Sequence, residues 1–266
     1  MYQRNLHNIV LFALPAILSA CGGGGNDDIA ESADSAACFN TGFYRPGTEI
    51  AFMQTQTTRA AESASPSTYI NSLFHRVVGE EEKDGVNIIL VDSNEDTFGH
   101  SRYAIENGVL LYYGFGNLDT LMFSRKQSLT PARASVIAMQ PGQVTTQNIV
   151  QTNEGYLKGI YTQGVSNIAY SRTFVGVEAV TTSLGQFSAC RFDIKTQAKE
   201  ADSGRLTLDT QTTSWVAATG PYRGLSLKED SIVTIYGYVD TRATEATKYT
   251  STIAKETTQV NQFDIK

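Results

Sequence analysis

The feature that most constrains the fold of this 266-residue chain is an alternation of apolar and polar residues with a period of two. In the segment 187–195, every second residue from Cys190 to Ile194 is apolar and the residues between them are charged. Successive side chains of a strand point to opposite faces, so this pattern predicts a strand with one buried face. Helical spacings are scarce, and the residues Thr, Tyr and Phe, which favour strands, recur throughout.

Similar patterns separated by turn residues predict about a dozen strands. They are residues 49–57, 69–78, 86–91, 98–105, 109–113, 120–124, 143–151, 156–162, 166–182, 186–196, 204–216, 225–228, 231–239 and 248–254. Asn107-Gly108 separates two of them and predicts a tight hairpin. We expect a mainly β fold, a single antiparallel domain whose strongly curved sheet forms a half-barrel or sandwich-like barrel. Alternation alone does not distinguish a half-barrel from a closed barrel or a sandwich.

The N-terminal residues predict a secretory signal rather than part of the fold. A polar stretch with Arg4 precedes the apolar run 9–18, which is shorter than the roughly 20 residues that a membrane-spanning helix needs. The run ends in Leu18-Ser19-Ala20-Cys21, which resembles the lipobox of bacterial lipoproteins. That resemblance implies cleavage after residue 20 and a lipid anchor on Cys21.

The residues after the lipobox predict a flexible tether. Gly22–Gly25 and the polar residues that follow show no periodicity, and about 15 such residues span roughly 20 Å as a coil. We therefore predict a signal peptide at 1–20, a lipidated cysteine with its tether at 21–37, and a β-rich domain at 38–266. Because Gly22 rather than Asp follows the cysteine, the lipoprotein resemblance implies the periplasmic face of the outer membrane.

Two cysteines remain once Cys21 carries lipid. Cys38 and Cys190 are an even number of thiols in an oxidising compartment, which predicts a disulfide between them. Two unpaired buried thiols are the alternative, because spacing does not establish geometry.

The second half of the chain carries a family resemblance. Residues 171–187 have the pattern of a strand followed by a turn at Gly185-Gln186-Phe187, and residues 212–228 contain Thr213-Ser214-Trp215 and a strand that ends in Lys228. This order resembles the DUF3108-like periplasmic proteins and, more distantly, the half-barrel carriers of the LolA/LolB type. The resemblance implies a curved β-sheet and no catalytic residue. It departs from the family pattern at 216–221.

Composition and motifs argue against several kinds of chemistry. The net charge of −6 argues against a nucleic-acid partner. The nucleophile, zinc-protease and phosphate-loop motifs are missing, so we predict no enzyme, no cofactor and no metal. His75 lies on an apolar face and is expected to be a core histidine, whereas His100 is expected to face water. Asp92-x-Asn94-x-Asp96 begins like a calcium loop, but Thr97 stands where that loop needs Gly.

These observations favour a non-enzymatic, lipid-anchored binding or chaperone-like module of the bacterial cell envelope. Its expected partners are the membrane, through the anchor, and a lipid, another apolar ligand or an envelope protein. Trp215 and Tyr222 flank the Thr219-Gly220-Pro221 turn and are the candidate ligand-binding residues, although core or rim packing is the favoured interpretation of both. The alternative function is a structural or assembly lipoprotein that docks to an outer-membrane protein through a sheet edge.

Overall fold

Twelve antiparallel strands form the described part of the chain. A computed structural model describes residues 34–63, 65–93, 99–118, 123–238 and 245–266. The strands are β1 (Glu49–Ala60), β2 (Ser67–Lys83), β3 (Val86–Ser93), β4 (Ser101–Glu106), β5 (Val109–Asn117), β6 (Phe123–Val136), β7 (Val144–Leu157), β8 (Ile160–Thr182), β9 (Gly185–Glu200), β10 (Leu206–Ala217), β11 (Ser226–Gly237) and β12 (Thr247–Asp264). Two short 3-10 helices, Ser35–Cys38 and Thr41–Tyr44, precede them.

The strands close into a barrel. Each strand pairs with its neighbours in sequence, and β1 also pairs with β12 over the register Glu49↔Asp264 to Ala60↔Ser251. This confirms the predicted mainly β fold in one antiparallel domain. Of the half-barrel, closed barrel and sandwich that the alternation left undecided, the structure is the closed barrel. Each strand in the described ranges has a neighbour on both sides, although stretches such as residues 67–74 of β2 pair on one side only. Docking through a sheet edge stays a prediction.

The predicted strand boundaries were partly wrong where polar residues or glycine interrupt a strand. Residues 225–228 and 231–239 were expected to be two strands, but a single strand, β11, covers Ser226–Gly237. The predicted strand 156–162 instead spans the turn at Lys158-Gly159, where both residues have positive φ. The hairpin at Asn107-Gly108 is confirmed, with φ values of 49° and 76°.

Residues 35–44, which we call the plug, belong to the packed domain. The Asp34 side chain accepts a hydrogen bond from the Ala36 N–H and thereby caps the first 3-10 helix. Ser35 is 3% exposed. Residues 35–37, which the sequence assigned to the tether, thus lie in the plug. None of the helices in these described ranges has the length and hydropathy that a membrane span requires.

Candidate functional site

Hydrogen bonds from both sides hold the plug in place. The Ser35 hydroxyl donates to the Ile137 carbonyl at 2.6 Å and accepts from the Met139 N–H at 2.8 Å. On the other side, the Arg223 guanidinium donates to three plug carbonyls at 2.7–3.0 Å. Those carbonyls belong to Ala36, Ala37 and Phe39. The plug is therefore fixed between the segment after β6 and the loop before β11.

A disulfide also fixes the plug covalently to the barrel wall. Cys38 bonds to Cys190 on β9, across a sequence separation of 152 residues. This confirms the predicted pairing. Cys190 and Phe192 are 0% and 3% exposed, as the alternation of this strand predicts, so β9 presents this face to the plug.

His75 packs against the plug as a half-buried structural residue. Its Nε2–H donates to the Phe43 carbonyl at 2.7 Å, and its ring lies edge-on to the rings of Phe43 and Tyr44. Burial lowers the pKa of His75, and the hydrogen bond to Phe43 opposes that shift without reversing it. The imidazole is therefore neutral at pH 7, which agrees with the expected core histidine.

Beneath the plug lies a small cavity that we call the arginine chamber. Its volume is about 170 Å3, and Ser35, Tyr44, Ser135, Arg172 and Phe192 are among the residues that line it. These residues come from the plug, β6, β8 and β9. The chamber is thus an assembly of side chains that are far apart in the sequence.

Arg172 lines the chamber, and Arg133 lies beside it, two residues before the lining residue Ser135 on β6; both arginines have aromatic neighbours. The Arg172 Cζ atom lies 3.8 Å from the centre of the Phe192 ring. The Arg133 Cζ atom lies 4.9 Å from the Tyr112 ring and 5.8 Å from the Tyr170 ring. Each guanidinium therefore has an aromatic face beside it, the arrangement of a cation–π contact.

The electrostatics of the chamber reflect burial of these groups. Burial lowers the pKa of the Arg172 guanidinium, and the positive charge of Arg133 adds to this decrease. Burial also raises the pKa of the Tyr44 phenol to about 12, although both arginines oppose that shift. Tyr44 therefore remains a neutral hydroxyl at pH 7 and adds no negative charge to the chamber.

A second, larger cavity is a groove of about 610 Å3 on the outer face of β9–β12 and β1. Asp193 and Lys195 line it, and they alternate along β9 with Phe192, which faces the chamber. The groove and the chamber are therefore on opposite faces of the same strand. The lining of the groove combines apolar side chains, among them Pro66, Ile232 and Ala254, with polar and charged ones, and most of its accessible surface is apolar.

The candidate ligand residues Trp215 and Tyr222 each contact other side chains of the barrel, and their role in ligand binding stays a prediction. The Trp215 Nε1–H donates to Glu178 at 2.6 Å, and Trp215 lies on the opposite face of β10 from Ser214, which pairs with Phe192. Tyr222 instead packs its ring 5.4 Å from Phe263, near the plug. Neither residue is among those that line the chamber or the groove.

The other candidate polar residues form surface contacts. Asp92 accepts hydrogen bonds from Arg76 at 2.8 Å and from His100 at 2.5 Å, so its carboxylate already has two side-chain donors. Residues 94–98 of the calcium-like segment lie outside the described residues. Within the described ranges, no group of three His, Cys, Asp or Glu side chains is placed to hold a metal ion. Cys21, the signal and most of the tether lie outside those ranges.

Sequence reasoning missed the chamber, although one signal for it was present. Arg172 alternates with Tyr170 and Phe174 on β8, which places a charged side chain on an apolar face. Arg133 gave no comparable signal, because it lies outside the strands predicted from the sequence. Pro131, two residues earlier, is also unfavourable in the middle of a sheet.

No protein-family model matches the sequence, and no curated protein matches it. Among solved structures, a candidate exported protein with a YmcC-like fold from Bacteroides fragilis aligns with 82% of this chain and 97% of its own, at 13% identity and a TM-score of 0.41. The hypothetical lipoprotein YmcC from Escherichia coli aligns with 76% of this chain and 83% of its own, at 12% identity and a TM-score of 0.31. A candidate lipoprotein from Parabacteroides distasonis aligns with 82% of this chain and 98% of its own, at 12% identity and a TM-score of 0.34. The resemblance to DUF3108-like and LolA/LolB-type proteins stays a prediction.

Proposed function

We propose that this chain is a lipid-anchored, non-enzymatic binding module of the bacterial envelope, held at the periplasmic face of the outer membrane. The observation that carries the binding role is the arginine chamber, a cavity of about 170 Å3 enclosed between the plug and the barrel wall. The lipobox at Leu18-Ser19-Ala20-Cys21 supports the anchor, and the disulfide supports an oxidising compartment.

The anchor is tested by the mass of the full chain expressed with its own signal in a Gram-negative host. We expect the mature protein to begin at Cys21 and to carry the mass of a diacylglycerol and an N-acyl chain. Cys21→Ser removes the acylated thiol, and Ser19→Thr, which keeps the cysteine, is the matched control. A mature wild-type chain without lipid mass would contradict the envelope assignment.

The binding role is tested by native mass spectrometry of the same detergent-extracted protein. A bound mass that disappears on denaturation supports a ligand-binding module. Docking to an outer-membrane protein is the alternative, and it is less well supported because every described strand is paired on both sides. A bare protein mass together with stable co-purification of one membrane protein would favour that alternative.

A further inference from the structure

Among the described residues, Arg172 in the chamber and Arg133 beside it have no acidic partner. No Asp or Glu oxygen in the described ranges lies within ion-pair distance of the Arg133 or Arg172 guanidinium. The other side chains that line the chamber with Arg172, such as Ser35 and Ser135, are neutral. The local charge is therefore positive in a chain whose net charge is −6.

Unpaired charge in a secluded site destabilises a fold unless something compensates for it. Both guanidinium groups are only partly exposed, and taking such groups out of water is unfavourable. Aromatic faces at 3.8 Å from Arg172 and 4.9 Å from Arg133 compensate only in part, because a cation–π contact is weaker than an ion pair with hydrogen bonds. An anion bound in the chamber would supply the negative charge that no described residue provides.

We propose that the arginine chamber binds an oxyanion, a phosphate or carboxylate group, between Arg133 and Arg172. Guanidinium groups offer planar pairs of N–H donors that match the oxygens of both anions. The inference rests on the proposed binding function and specifies the class of its ligand.

The size of the chamber limits what can enter it. A volume of about 170 Å3 is below the roughly 300–1,000 Å3 of sites that enclose a whole drug-sized ligand. The chamber therefore holds a small anion or the anionic end group of a larger molecule. Asn40 and Gly224 also line the chamber, and the Asn40 amide donates a hydrogen bond to the exposed Arg223 carbonyl. The chamber therefore extends to the surface between the plug and the 217–225 loop.

The test is the midpoint of thermal unfolding, Tm, of the full detergent-extracted chain. Inorganic phosphate or acetate is titrated at constant ionic strength, with chloride as the balancing anion. A third titration uses phosphatidylglycerol in mixed micelles, which offers the same phosphate chemistry as a lipid headgroup. At a hundredfold excess over Kd, we expect an anion that binds only the folded chain to raise Tm by about 5–10 °C.

Variants assign the response to the chamber. Arg172→Gln and Arg133→Gln should each weaken anion binding at least tenfold. In buffer without phosphate, acetate or phosphatidylglycerol, the Tm of each variant should be no lower than that of the wild type, because each substitution removes an unpaired charge. Arg125→Gln is the matched control: Arg125 has a comparable aromatic contact with Phe115 at 5.3 Å but lies at the opposite end of β6 from Ser135, which lines the chamber. It should keep the full response.

The outcomes are separable. A response to phosphate or acetate that needs both arginines supports a free anion, and one seen only with phosphatidylglycerol supports a lipid headgroup. No response to any of the three probes, or an equal response in Arg172→Gln and Arg125→Gln, would overturn the proposal. The mass of the lipid anchor is independent of these titrations, so the envelope assignment and the oxyanion site can fail separately.

Discussion

Removing the disulfide between Cys38 and Cys190 should lower the stability of the barrel substantially. The bond closes a loop of 152 residues. In the chain-entropy model, a closed loop of that length restricts the unfolded chain by roughly 17 cal/mol/K, or about 5 kcal/mol at 25 °C. For a domain of this size, that corresponds to a decrease in Tm of about 10–20 °C.

The perturbation is the double variant Cys38→Ala, Cys190→Ala, which leaves no free thiol at either position. The variant keeps the hydrogen bond from Ser35 in the plug to Ile137 and the bond from Arg223 to Ala37 in the plug. We therefore expect it to fold. Thermal unfolding is followed by circular dichroism with and without a reducing agent. The reducing agent should bring the wild type towards the Tm of the variant and leave the variant unchanged. A double variant that unfolds within about 2 °C of the oxidised wild type would refute the loop-entropy argument.

Two further predictions concern single positions. Gly114→Ala should destabilise the barrel by more than 2 kcal/mol in urea unfolding, since Gly114 has a φ of 112° and an added Cβ would overlap the Gln127 carbonyl; an unchanged midpoint would contradict this. Because burial lowers the pKa of His75 in the folded state, the unfolded chain binds more protons below about pH 6.5, so stability falls as the pH falls through that value. His75→Gln should flatten the decrease in stability between pH 7 and 5, and a decrease as steep as in the wild type would show that other groups cause it.

Local patterns made much of the fold predictable. Alternation along β9 placed Cys190 and Phe192 on a buried face, and the positive φ that Asn107 and Gly108 tolerate set the position of one hairpin. Both features depend on residues that are neighbours in the chain. Closure of the barrel depends instead on the pairing of β1 with β12, about 200 residues apart, which no local pattern encodes.

Polar residues within strands account for the errors in strand boundaries. Glu229 and Asp230 look like a turn, yet Glu229 pairs with Lys255 at 3.0 Å and Asp230 with Lys228 at 2.9 Å. Cross-strand and same-strand partners thus satisfy both charges inside β11. Such partners are visible only in the folded barrel.

The chamber was unpredictable for the same reason. A charged residue among apolar ones on β8 marks Arg172 as unusual, but its proximity to Arg133 and Tyr44 requires the plug and two strands to be in place. The sequence therefore shows that a charged residue lies on an apolar face, but it does not show which residues surround it. Trp215 and Tyr222 were the opposite case: they are close in sequence, but the fold directs them to different partners.

The position of the disulfide has a mechanical consequence. A pull on the chain before Ser35 reaches Cys38 and passes through the bond to Cys190, which lies within β9 and pairs with both β8 and β10. The force is therefore applied to β9, where the hydrogen bonds to both neighbouring strands must break together. The segment after residue 38 does not transmit this force. Phe43 and Tyr44, which line the chamber beyond Cys38, therefore lie outside the path of the force.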